Sequence, residues 1–124
     1  MSEALLVLTN LPDQASAQRA AEALIESRAA ACVNILPGCT SVYRWQGKLE
    51  TAGEVPLLIK TTRDAYPRLE ETLRANHPYE LPEIIAVPVI AGLPGYLQWI
   101  VQETSSNPSP SLPLSGEGDS ALLP

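Results

Sequence analysis

The 124-residue chain contains no phenylalanine, one histidine, one methionine and two cysteines. Aromatic residues make up only 5%, so any core must be built from aliphatic side chains. Basic residues are also scarce, 8 Lys and Arg against 14 Asp and Glu, for a net charge of −6. Phosphate binding needs a positive surface, which excludes nucleic acid as the main partner. An anionic membrane surface is excluded on the same ground. No run approaches the about 18 consecutive apolar residues of a transmembrane helix. Met1-Ser2-Glu3 lacks the basic start of a signal peptide, so the expected compartment is the cytoplasm. G-x-G-x-x-G, Walker A and G-x-S-x-G motifs are all absent, and the chain is not expected to be an enzyme.

Cysteine is too sparse for a disulfide scaffold or a C-x-x-C site. Cys32 and Cys39 are separated by six residues. On one continuous strand they would lie roughly 23 Å apart, too far to bridge. Only a reversal at Pro37-Gly38 could join them. The plain expectation is two small buried thiols without a redox or metal role.

What is present suffices for one domain: 45% of residues are apolar, and the length allows no second core. Composition changes after Glu103. Residues 104–124 are rich in Ser and Pro and carry no basic or aromatic residue, so a disordered tail is expected there and a folded unit over 1–103.

Within that unit Ala4–Thr9 reads as a buried strand, ended by Pro12 with Asp13 as a helix N-cap. Ala17, Ala20, Ala21, Leu24 and Ile25 give the apolar face of a helix over Gln14–Arg28. A second strand begins near Ala31, breaks at Pro37-Gly38 and resumes through Val42–Trp45. Gln46-Gly47 predicts a tight hairpin turn. The return strand runs Lys48–Thr62, with an irregularity at Thr51–Gly53. Pro56, unable to donate a ladder bond, is expected at an edge, a strand start or a bulge. Asp64 is expected to cap a second helix, with Tyr66, Leu69 and Leu73 facing inward, that stops by His77 because of Pro78. A strand over Glu83–Ile90, a turn at Gly92–Gly95 and a short helix over Tyr96–Glu103 complete the order. The resulting β-α-β-β-α-β plait with a C-terminal helix is α+β and ferredoxin-like. One sheet face and long hairpin edges are left to be covered by the last helix or a second chain, so an oligomer is expected.

The densest group of polar side chains is His77-Pro78-Tyr79-Glu80 with Glu83. Imidazole is a usual ligand for copper or zinc, and Glu80 and Glu83 offer oxygens. A lone histidine beside Pro-Tyr equally suits a loop-closing hydrogen bond. Tyr43–Lys48 puts aromatic and cationic groups on the hairpin tip, suited to a ligand or to a subunit contact.

The string RAAACVNILPGCTSVYRWQGKLE, residues 28–50, resembles the signature region of the divalent-cation tolerance (CutA) family. The resemblance continues in LLIKT at 57–61, HPYELPEII at 77–85 and Tyr96-Leu97-x-Trp99-Ile100. It implies a ferredoxin-like subunit in a PII-like homotrimer, with long hairpin strands pairing across subunits. It further implies a role in tolerance to divalent cations, copper in particular. Family members with a described copper site use a cysteine at the end of the first strand and two adjacent histidines before Pro-Tyr. The matching positions here are Thr9, Asn76 and His77, so Cu(II) binding is expected to be weak, through His77 with Glu80 and Glu83. The other expectation is a PII-like module in which metal is incidental. The clefts between its subunits, lined by Trp45, Lys60, His77, Tyr79 and Glu80, would hold a small molecule or a partner segment.

Overall fold

A computed structural model describes residues 2–105. The elements are β1 (Ala4–Leu11), α1 (Gln14–Glu26), β2 (Cys32–Ile35), β3 (Cys39–Trp45), β4 (Lys48–Thr62), α2 (Tyr66–Asn76), β5 (Ile85–Pro88) and α3 (Pro94–Glu103). All strand pairs are antiparallel, in the order β2-β4-β1-β5, with β3 also on β4. Counting β2 and β3 as one broken strand gives the expected four-stranded ferredoxin-like plait. The 15-residue β4 is its spine, pairing β1 through one half and β3 through the other.

Alternation along β1 and β4 decides what is buried. Val7 and Leu11 share a sheet face with Ile59, the register partner of Val7, and with Leu57, and these pack with Ala17, Ala20 and Leu24 of α1 and Leu69 and Leu73 of α2. The core is wholly aliphatic. Asp13 caps α1 as expected, its carboxylate accepting from the Ser16 amide at 2.8 Å, a bond that holds the carboxyl below its usual range. Helix α1 ends sooner than the pattern predicts. Arg28 adopts φ 60 and its amide donates to the Ile25 carbonyl, while the Ala29 amide donates to Leu24, a Schellman closure with arginine in the left-handed position usually given to glycine. Ile25, expected on the apolar face, lies outside the core at 43% exposed although it is still within the helix.

Several expectations are corrected. Asp64 does not cap α2. The N-cap residue is Ala65, which cannot bond through its side chain, and its amide instead donates to Thr62 Oγ1. Pro56 is neither at an edge nor at a strand start: it pairs with Asn10 in the middle of β4. Its carbonyl accepts from the Leu36 amide, so its nitrogen points to the gap between β2 and β3, where the ladder is already interrupted and no donor is needed. Thr51–Gly53 show no irregularity, pairing in unbroken register with Thr40–Val42. Strand β5 is shorter than Glu83–Ile90, and α3 starts at Pro94, inside the expected turn. Gln46 and Gly47 have φ 51 and 83, the twist-matched hairpin turn predicted for this pair.

Helix α3 lies over the sheet face opposite α1 and α2, where the Lys60 ammonium sits 5.6 Å from the Tyr96 ring centroid. Its last carbonyls are held from outside. Arg28 donates to the carbonyls of Gln102 and Ser105, and Arg68 to those of Thr104 and Arg28. Thr104 is buried, so the packed structure runs two residues past the compositional boundary at Glu103. The remaining expected tail, 106–124, lies outside the described residues.

Candidate functional site

The loop between α2 and β5 is closed by its first residue. His77, 9% exposed, accepts at Nδ1 from the Tyr79 amide at 3.2 Å. Nε2 therefore carries the proton and donates to the Asn10 carbonyl at 2.8 Å. Both ring nitrogens are thus engaged by backbone, one bond inside the loop and one tying it to the end of β1. Burial holds the imidazole below its usual pKa, against the opposing pull of the Asn10 bond and the Glu54 charge. The His77 and Tyr79 rings pack 4.9 Å apart.

Tyr79 reaches across to the hairpin, its hydroxyl donating to Glu54 Oε2 at 2.8 Å. Burial, the bond to Glu54 and the charge of that carboxylate push the phenol above its usual range. Asn10 Nδ2 donates to Glu83 Oε1 at 3.1 Å. These bonds hold the loop against β3 and β4 and leave an open cleft of about 630 Å³, with Tyr43, Trp45 and Tyr79 among its walls and Glu54, Glu80 and Glu83 around it. A groove of similar volume along α2 is lined by residues 66–75 of that helix region alone. The cleft differs in being built by three separate segments of chain.

The expected site residues separate accordingly. Trp45, Tyr79, Glu80 and Glu83 meet at the cleft. Lys60 does not join them in this chain, since its ammonium is over Tyr96 beneath α3. His77 stands behind Tyr79 as a support. Among the described residues, no group of three or more His, Cys, Asp and Glu side chains could hold a metal ion, so His77, Glu80 and Glu83 do not converge within one chain. Glu54 and Asn10 were missed in the sequence because nothing local marks them: one is 25 residues from Tyr79 and the other 73 from Glu83. Cys32 and Cys39 are free, but neither is buried as expected: Cys32 is half-buried, and Cys39 is exposed because it begins the open hairpin strand β3.

The positions matching the family's copper ligands are also apart in chemistry. Thr9 is 1% exposed, on the strand face turned to the core, and its Oγ1 has no hydrogen-bond partner among the described residues. The Asn76 amide donates back to the Thr72 carbonyl. An unmet buried hydroxyl is destabilising, so Thr9→Val, which keeps the shape, is expected to raise unfolding free energy by about 1 kcal/mol. Urea denaturation checks this. A loss of stability instead would mean that the hydroxyl is bonded.

The model of the CutA1 divalent ion tolerance protein family matches residues 5–103. The divalent-cation tolerance protein CutA of Thermus thermophilus is 48% identical over 99 residues, covering 80% of this chain and 96% of its own. Among solved structures, CutA from Xylella fastidiosa superposes with a TM-score of 0.81 at 48% identity, covering 84% of this chain and 100% of its own. CutA1 from Oryza sativa gives 0.82 at 39% identity, covering 86% and 97%. The match spans every element from β1 to α3, including both sides of the cleft, and on that extent and identity the chain belongs to the CutA1 divalent ion tolerance protein family.

Proposed function

We propose that the chain serves divalent-cation tolerance as a homotrimeric binding module. Its cleft at Trp45 and Tyr79 takes a small ligand, and it works by binding rather than by catalysis. The observation that carries this reading is the engagement of both His77 nitrogens by backbone groups. That makes the histidine a brace for the cleft wall and leaves no lone pair for a metal. A cytoplasmic location agrees with the two free cysteines, and no helix of the described residues is long and apolar enough to cross a membrane.

Assembly is supported by the hairpin. Val42 is 64% and Leu49 72% exposed, on strands that extend beyond any cover within the chain, and apolar surface of this kind marks a contact. Light scattering is expected to give three times the chain's 13.3 kDa. Val42→Asp with Leu49→Asp is expected to give a monomer. A monomeric wild type sinks the trimer.

A second reading is weak Cu(II) binding through His77, Glu80 and Glu83, favoured by their place on one loop beside the cleft. It requires the imidazole to release a backbone partner, or a neighbouring subunit to add ligands. Calorimetric Cu(II) titration against a competing chelator of known affinity separates the two. The binding-module reading expects no site tighter than the chelator. One ion per chain, lost in Glu80→Gln with Glu83→Gln, would establish the copper site instead.

A further inference from the structure

We draw no further inference here: the strongest candidate, the exposed apolar side chains Ile85 and Val87 of β5 with Ile90 and Leu93 on the segment leading into α3, carries none, because nothing in the structure shows what covers them.

Discussion

His77→Ala is expected to lower the unfolding free energy by about 2–3 kcal/mol, in the absence of any metal. The substitution removes the acceptor of the Tyr79 amide and the donor to the Asn10 carbonyl. Each buried backbone group left unmet destabilises by about 1–3 kcal/mol. The ring contact with Tyr79 is lost as well. With the loop freed from β1, the Tyr79–Glu54 bond weakens too, so ligand binding at the cleft is expected to fall with stability.

The effect depends on pH in a definite direction. Burial holds the His77 pKa below its ordinary 6.5, so the folded state favours the neutral ring, whose Nδ1 lone pair is the acceptor. The stabilising contribution is therefore present above pH 6.5. It is lost as the pH falls from there toward the lower folded value. Urea denaturation of wild type and variant at pH 7.5 and pH 5 checks both statements. The gap between them is expected to narrow at pH 5. A gap that stays constant, or one that vanishes at pH 7.5, would mean that the histidine does not brace the loop.

Arg68→Ala is expected to be about as damaging, at roughly 2–4 kcal/mol, since one guanidinium nitrogen serves two backbone carbonyls with charge-assisted bonds. Those carbonyls belong to Arg28, in the closing turn of α1, and Thr104, at the end of α3. Arg68 itself is on α2, so the three helices are joined at this point. Helix α3 has no basic residue in its own last turn. Positive charge reaches the C-terminal end of its dipole from Arg28 and Arg68, beside the Thr104 hydroxyl that donates to the Ile100 carbonyl. Arg68→Met, which keeps the aliphatic stem, is expected to lose most of the same stability. Because the acceptors are carbonyls rather than carboxylates, the loss should change little between low and high salt. Full retention of stability in Arg68→Met would assign the side chain a packing role only.

Some elements of this protein were determined by local sequence. Asp13 three residues before Ser16, the apolar spacing from Ala17 to Leu24, and Gln46-Gly47 between two alternating runs each act within a single element or turn. They form as read because no distant partner is needed. The plait followed from the order of these pieces, and the family from the blocks around residues 28–50 and 77–85. Elsewhere the tertiary structure decided. Pro56 reads as an edge residue until its nitrogen is seen to face the break between β2 and β3. Asp64 reads as a cap until Thr62, buried beside it, supplies the oxygen. The metal reading of His77 turned on residue type and spacing. The structure adds what each ring nitrogen touches, the Asn10 carbonyl 67 residues away and the Tyr79 amide. The cleft was decided in the same way. Its carboxylates and rings come from the hairpin and one loop, with Asn10 of β1 holding Glu83, and their convergence depends on contacts between segments far apart in the chain, which no local pattern encodes.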